Sequence, residues 1–396
     1  MSIDLKALRT EGERLQEKLV SYRRTLHQYP ELKMDCPWTE EKIASYLEAM
    51  GAEEIRRGIG GHGVCCVIRG AQSGKCLGIR ADCDGLPIQE ETGLPFASKN
   101  GNMHACGHDA HTAMALGAAE LLIRHKQELK GCVKVFFQPY EEGDGGASRM
   151  IADGVLDNPH VDAVIGLHNG CNINAPYVSG DILVTPNPTS ANIFAYKAIF
   201  HGTGAHVCWS HESVNPVYMA CEATLKIRDL LPAGSRAINA ITIIQGGMRN
   251  NIIPDICSID GSIRSFDRAE HLIMRDGARK VAKEIAKKYG GSVDFITNID
   301  LMNTVIDRDM FESFCIVADR LYPEQGCRRL DPVPMIGEDF ARYTAVVPGL
   351  YFMLCGKKKG AQYPHHSSKF DLDEAILSKG SSLLASFALT WQNYRI

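Results

Sequence analysis

Side chains able to bind a cation or move a proton recur in this sequence directly after apolar runs. Asp82 and Asp84 follow CLGIRA, Glu141 and Glu142 follow VKVFFQPY, and His168 closes DAVIGLH. Between the first two runs lies His104-Ala-Cys106-Gly-His108-Asp109-Ala-His111, and further on comes Pro364-His365-His366. Gathered in one place, such carboxylates, imidazoles and a thiol repel and desolvate one another unless a cation compensates. Histidine, carboxylate and thiolate together suit zinc, manganese, cobalt or nickel better than calcium or magnesium. Five or more such candidates exceed what one catalytic zinc usually takes from protein. Two ions roughly 3.5–4 Å apart, sharing a water or hydroxide, would use them all.

The Glu141-Glu142 pair needs both members explained. One can bind metal while its neighbour, kept off the metal, takes a proton from water and hands it to a leaving amine. The Gly143–Gly146 loop lets both turn inward. A rival scheme makes Cys106 a nucleophilic thiolate with His108 or His111 as its base. It leaves Glu141, Glu142, His168 and His366 without roles.

The elements that must position these groups are short apolar strands at 64–70, 76–82, 133–139, 162–168 and 350–356, alternating with helices such as Ala110–His125 and Ser381–Tyr394. Buried strands interleaved with helices predict an α/β sheet with helices on both faces, and sites in such sheets form beyond the carboxyl ends of strands. The middle of the chain alternates differently. Strands at Asn192–Phe200, Ile238–Gln245, Ile256–Phe266 and Ser292–Ile296 and helices at Ser213–Leu230 and Ala269–Tyr289 follow the order βαββαβ, that of a ferredoxin-like α+β domain. The expected division is 1–188 and 299–396 for the two parts of the larger domain and 189–298 for the insert, with joints near Pro186–Thr189 and Thr297–Thr304.

A chain of 396 residues is too long for one core. A net charge of −4, from 43 basic and 47 acidic groups, gives no electrostatic case for nucleic acid or membrane binding. No eighteen apolar residues run together, and the amphipathic first helix (Leu5, Leu8, Leu15, Leu19) does not suit a signal peptide. Several of the fourteen cysteines, among them Cys65, Cys66, Cys132 and Cys355, sit inside strand-like runs, as reduced buried thiols of a cytoplasmic protein would.

The sequence resembles the dinuclear-metal aminoacylase and amidohydrolase superfamily, in the branch of hippurate hydrolases, N-acyl-amino-acid amidohydrolases, aminobenzoyl-glutamate hydrolases and auxin-conjugate hydrolases. The resemblance runs nearly end to end, through RRTLHQYPEL at 23–32, IRADCDGLPIQEETGLPF at 79–96, MHACGHDAHT at 103–112, FQPYEEGDGGA at 137–147, GLH at 166–168, NIIPD at 251–255, GSIRSFD at 261–267, GEDFA at 337–341 and HHSSKFDLDE at 365–374. It implies a zinc-exopeptidase-like catalytic domain, with Cys106, His108, Glu142, His168 and His366 as ligands of two divalent metal ions and Glu141 as general base. His366 is preferred to His365 because it stands four residues before Phe370. The resemblance also implies that the insert is a dimerisation domain, that the protein is a homodimer or higher homo-oligomer, and that His206, Asn251 and Arg264 stabilise an oxyanion or clasp a substrate carboxylate. The activity implied is hydrolysis of a small amide carrying a carboxylate, an N-acyl amino acid, with a dipeptidase or a catalytically silent binding protein as alternatives. His206-Val-Cys-Trp-Ser-His211 and Arg249-Asn250 depart from the family pattern on the substrate side, where they bear on acyl and amino-acid specificity.

Overall fold

The computed structural model describes residues 3–143, 145–170, 176–186, 188–360 and 363–393. Asp144, Asn187 and Tyr394, in the expected loop, joint and helix end, lie outside them. In chain order the elements begin α1 (Leu5–Arg14), α2 (Gln16–His27), α3 (Pro37–Ala49), β1 (Glu53–Ile59), β2 (Gly63–Arg69), β3 (Gln72–Asp82), α4 (His108–Arg124), β4 (Lys130–Gln138), α5 (Gly146–Ala152), β5 (Ala163–Asn169) and β6 (Ile182–Val184). They continue with β7 (Asn192–His201), β8 (Ala205–His206), α6 (Pro216–Arg228), β9 (Ile238–Gly246), β10 (Ile252–Ile253), β11 (Ile256–Ser265), α7 (Arg268–Lys288) and β12 (Ser292–Leu301). Last come α8 (Arg308–Leu321), β13 (Cys327–Arg329), α9 (Ala341–Thr344), β14 (Gly349–Leu354) and α10 (Leu377–Thr390).

Two compact units result. The larger comprises Met1–Thr189, Thr304–Val333 and Asp339–Ile396, the smaller Ser190–Asn303 with Pro334–Glu338. The expected boundary at 298/299 stands beside an observed one at 303/304, because β12 runs on to Leu301. The return of Pro334–Glu338 to the smaller unit has no counterpart in the sequence reading; Ala191 N–H donates to the Ile336 carbonyl there at 2.8 Å.

The larger unit is built on an eight-stranded sheet of order β1-β2-β4-β3-β5-β14-β6-β13. β3, β4, β5 and β14 run parallel, so their carboxyl ends share one edge. β5 and β14 are buried along their whole length, as strands covered on both faces should be. The five apolar runs read from the sequence form β2, β3, β4, β5 and β14.

All fourteen residues of α10 are buried, Ser378, Ser381, Ser382, Ser386 and Thr390 included. Their hydroxyls do not interrupt the core where they donate to nearby carbonyls: Ser381 to Met114 O at 2.8 Å, Ser382 to Ser378 O at 2.8 Å and Thr390 to Ser386 O at 2.7 Å. A Cβ on Gly380 would lie 2.1 Å from Met114 Sδ, so α10 and α4 cross where only glycine fits. Sequence periodicity predicts one N-terminal helix; the chain forms two, parted at Leu15, whose N–H donates to Gly12 O in a tightened turn.

The smaller unit has the order β7-α6-β9-β11-α7-β12 around a sheet β12-β7-β11-β9, with β8 and β10 as a separate ribbon. Phe194, Tyr196, Ala198 and Phe200 of β7 alternate into its own core with Met219, Ile259 and Met274. Among the described residues no helix is long and apolar enough to cross a membrane.

A buried ionic network ties α2, the start of α4 and the Asp371–Glu374 segment together. Arg23, 1% exposed, donates to Asp109 Oδ2 (3.1 Å) and Asp371 Oδ1 (3.0 Å) and pairs with Glu374 (3.1 Å). His27 Nδ1 lies 2.8 Å from Asp109 Oδ2 and Nε2 3.3 Å from Glu90 Oε1. Burial alone would lower the His27 pKa, but the charge and hydrogen bond of Asp109, with Glu90 behind, outweigh it and raise the value to about 9. Because the folded value lies above the unfolded one near 6.5, this contribution is complete below about pH 6.5 and disappears as pH rises through about 9. Urea unfolding of wild type and His27→Gln, with chelator throughout, should show a stability gap that shrinks by about 3 kcal/mol between pH 6 and pH 10. An unchanged gap contradicts the charged His27.

Candidate metal centre

Asp82 ends β3, and two residues on Asp84 begins to organise the site. Its Oδ1 accepts the Glu141 N–H at 3.1 Å, its Oδ2 the Glu142 N–H at 3.3 Å, and its Oδ1 lies 3.3 Å from His108 Nδ1. With Nδ1 engaged by Asp84, Nε2 is the ring nitrogen left to meet a cation. That Nε2 is buried without a hydrogen-bond partner.

His108 is the first residue of α4, preceded by Gly107 at φ +87°. The left-handed step turns the chain between Cys106 and His108 so that both side chains reach the same place. It also brings the backbone against Asn169, whose side-chain amide donates to the Cys106 and Gly107 carbonyls at 3.0 and 3.2 Å. A Cβ on Gly107 would lie 2.1 Å from Asn169 Nδ2.

His168 comes from the end of β5. Its Nδ1 donates to the Asn169 carbonyl at 2.9 Å, leaving Nε2 as an acceptor, hydrogen-bonded to Cys106 Sγ at 3.4 Å. Burial, reinforced by His111 and His365, holds the His168 pKa well below the ordinary histidine value, so the ring is a neutral lone-pair donor. Burial also pushes the Cys106 thiol up, with the Glu142 charge adding to it. Burial raises Glu142 as well, but His366 and His108 outweigh it and leave its pKa lowered.

His366 hangs over the rim, its side chain 52% exposed, with Nε2 3.2 Å from Glu142 Oε1. Its backbone stands at φ +65°, and its N–H donates to the Ala105 carbonyl at 2.8 Å. His365 turns the other way and gives its Nε2 to Asn169 O at 2.9 Å. Between the two histidines, geometry therefore favours His366 as the available donor.

The expected larger-unit residues come together. Donor atoms of Cys106, His108 and His168 lie within 4.8 Å of one another, as do those of Cys106, Glu142 and His366, and those of His108, Glu141 and Glu142. The other three lie in the smaller unit. His206 and Asn251 meet at the β8–β10 ribbon, where Val207 N–H donates to Asn251 O at 3.1 Å. Arg264 lies near the far end of β11 and gives Nη1 to Met335 O at 2.6 Å.

Sequence reasoning missed the groups that hold this arrangement. Arg80, wholly buried in β3, donates to Asp82 (2.8 Å), Gln138 (2.9 Å) and Asp339 (2.8 Å). Asp82 in turn accepts from His111 Nδ1 at 2.5 Å. Asn169 N–H donates to His111 Nε2 at 2.8 Å, so both His111 nitrogens are engaged and the ring orients rather than ligates. Arg80 carried a readable signal, a charge inside the apolar run CLGIRAD that demands buried partners. Asn169 carried only its place after GLH.

The donor set fits a cation. His108 Nε2 is a buried atom without a hydrogen-bond partner, and such orphans are rare unless something else meets them. Thiol, imidazole and carboxylate are the ligand types of borderline divalent metals, and the carboxylate or carbonyl behind each buried histidine is the support that metal-bound imidazoles require.

A family model described as peptidase family M20/M25/M40 matches residues 78–390. The chain is 35% identical to thermostable carboxypeptidase 1 of Saccharolobus solfataricus, over 98% of each sequence. It is 34% identical to the N-acetylcysteine deacetylase of Bacillus subtilis, covering 94% of this chain and 96% of that one. The crystal structure of a Bacillus subtilis protein described as a dinuclear metal binding peptidase from the M20 family aligns with a TM-score of 0.80 at 33% identity, covering 96% of this chain and 99% of that one.

The turn at Gly107 supplies a direct check. Gly107→Ala meets both a left-handed backbone, costing roughly 1–2 kcal/mol, and the Asn169 amide. Gly51→Ala is the control, since φ is +79° with nothing within 4 Å of the added carbon. Thermal unfolding should fall further for Gly107→Ala, and manganese or zinc titration should show weaker uptake for that variant alone. Equal losses for the two would separate the Gly107 turn from the centre.

Proposed function

The chain belongs to peptidase family M20/M25/M40, and from that premise we propose that it hydrolyses the amide bond of N-acyl or N-aroyl amino acids, using two divalent cations held by Cys106, His108, Glu142, His168 and His366. The observation that carries this reading is the buried His108 Nε2, without a hydrogen-bond partner, at the meeting point of two donor clusters that also bring in Cys106, His168, Glu141 and Glu142. The deacetylase relative supports the acyl-amino-acid substrate. Zinc or manganese suits the mixed thiol, imidazole and carboxylate set, with cobalt or nickel next.

Bound there, the cations would polarise the amide carbonyl and acidify a water molecule. Glu141 takes the proton from the attacking water and passes it to the nitrogen of the leaving amine. Its backbone is fixed for this by Asp84, which also orients His108. His206 Nδ1 accepts the Cys208 N–H at 3.2 Å, so its proton sits on the exposed Nε2, a donor for a developing oxyanion. Asn251 and Arg264 are assigned the carboxylate of the amino-acid half, for which a guanidinium fork is well shaped.

The carboxypeptidase relative favours a second reading, an exopeptidase on the same scaffold. Both substrates present a free carboxylate on the amine side of the scissile bond. They differ in whether the acyl side carries an amino group. The smaller unit supports a homodimer: among the described residues β9 pairs only with β11, and Ile243 and Ile244, each 50% exposed, lie on β9. A reducing, cytoplasmic compartment suits the thirteen described cysteines, all unbridged.

Glu141→Gln should retain its metal content and lose roughly 10²–10⁴-fold in turnover, the range for an acid–base group. Near-normal turnover removes Glu141 as the base. Acetylated and benzoylated amino acids should be cleaved in preference to dipeptides in a metal-supplemented panel, and the reverse order favours the exopeptidase. Sedimentation should give a dimer; a monomer at micromolar concentration removes that assignment.

A further inference from the structure

Away from the candidate centre, the larger unit holds a second reactive arrangement that the proposed hydrolysis does not use. Cys315 on α8 and Cys327, the first residue of the edge strand β13, place their sulfurs 3.2 Å apart. Both are half-buried, and they line a recess of about 250 Å³ with Val184, Pro186, Phe311, Arg328 and Arg329. The two thiols are unlike. The hydrogen bond shared across this 3.2 Å contact favours the Cys315 thiolate, lowering its pKa against the opposing effect of burial. The same bond, with burial, raises that of Cys327. One sulfur is thus prepared as a nucleophile and the other held back as its partner, the asymmetry on which thiol–disulfide exchange runs.

The surroundings suit an anionic reagent. Arg328 pairs with Asp181, while Arg329 has no ion-pair partner among the described residues. The backbone between the sulfurs is a short hairpin, from the end of α8 through the Tyr322–Gly326 turn, closed by the Cys327 N–H on Asp319 Oδ1 at 2.7 Å. Bonded sulfurs stand about 2.05 Å apart, so closure asks for a shift of about an ångström across that hairpin.

We propose that Cys315 and Cys327 form a redox modification site that small, carboxylate-bearing disulfides oxidise to an internal disulfide. The Cys315 thiolate attacks one sulfur of the small disulfide. A Cys315–S bond forms, the small disulfide breaks, and the expelled thiolate takes a proton. Cys327 then loses its proton and attacks Cys315 Sγ, closing the internal disulfide and releasing the second small thiol. Two protein thiols are oxidised and one small disulfide is reduced to two thiols.

The test uses the full chain in its metal-loaded form, equilibrated with oxidised and reduced glutathione at increasing ratio, alkylated and mapped by peptide mass. Cys315 and Cys327 should become protected together, as one cross-linked peptide. In Cys327→Ser the reaction should stop as a glutathionyl adduct on Cys315, and in Cys315→Ser the adduct on Cys327 should be at least tenfold slower to form. The inference is overturned if both thiols stay open to alkylation while the exposed Cys208 and Cys221 are modified. It is equally overturned if Cys327→Ser gains no adduct at position 315. Should either serine variant fail to fold, the wild-type map decides alone. Amide hydrolysis is not read at any step, so failure here and failure of the proposed hydrolase are separate results.

Discussion

Asp82 and Asp84 lie 0% and 1% exposed beside His111 and His108, and taking carboxylates so far out of water costs several kcal/mol each unless every charge meets a partner. The larger unit is arranged around that requirement. Asp82 is met by Arg80 on one side and His111 on the other. Arg80 is completed by Gln138 and Asp339, which bind each other, and Asp339 also accepts the Ala147 N–H at the start of α5. The resulting chain of buried hydrogen bonds passes beneath the strand ends without a gap. Its members have few rotamers left, so the groups above them inherit fixed positions.

From this base the lone pairs can be followed outward. His108 and His168 each spend Nδ1 on an oxygen behind them and turn Nε2 into the pocket. His111 spends both nitrogens and turns nothing inward. Three similar histidines within two segments thus have two different uses, and what separates them is the position of Asn169. Its amide holds the Cys106–Gly107 peptide, its N–H fills His111 Nε2, and its carbonyl accepts hydrogen bonds from His168 and His365.

The strands were legible because burial on both faces forces continuous apolar runs, and β2, β3, β4, β5 and β14 all read that way. The site was legible by position, since polar groups that follow such runs gather at one edge of a parallel sheet. Other features depend on partners distant in sequence. β6 and β13, three residues each, have too little pattern to stand out and exist by pairing, β6 with β14 and β13 with β6. Leu15 continues a helical apolar stripe, yet the helix breaks there, beside the place where a Cβ on Gly12 would lie 2.0 Å from Ser382 Oγ. Asn169 is invisible to periodicity for the same reason: its role is defined by Cys106 and His365, each more than sixty residues away in sequence.

Backbone conformation shows how three of the delivering segments converge. Gly107 stands at φ +87°, Tyr140 at +59° just before Glu141, and His366 itself at +65°. For residues with a Cβ this region costs roughly 1–2 kcal/mol, so two such residues beside candidate ligands are not incidental. A strand delivers successive side chains to opposite faces, and a chain that simply continued from β4 would send Glu141 and Glu142 apart. The left-handed step at Tyr140 reverses the chain, allowing Asp84 to bind both following N–H groups and leaving both carboxylates on the pocket side. At His366 the same step, anchored by its N–H on Ala105, separates it from His365 and gives two adjacent histidines opposite directions. Glycine would take either position at no conformational cost. The side chains retained there, the Tyr140 ring packed over Gly143 and Gly145 and the His366 imidazole against Glu142, supply contacts that glycine lacks.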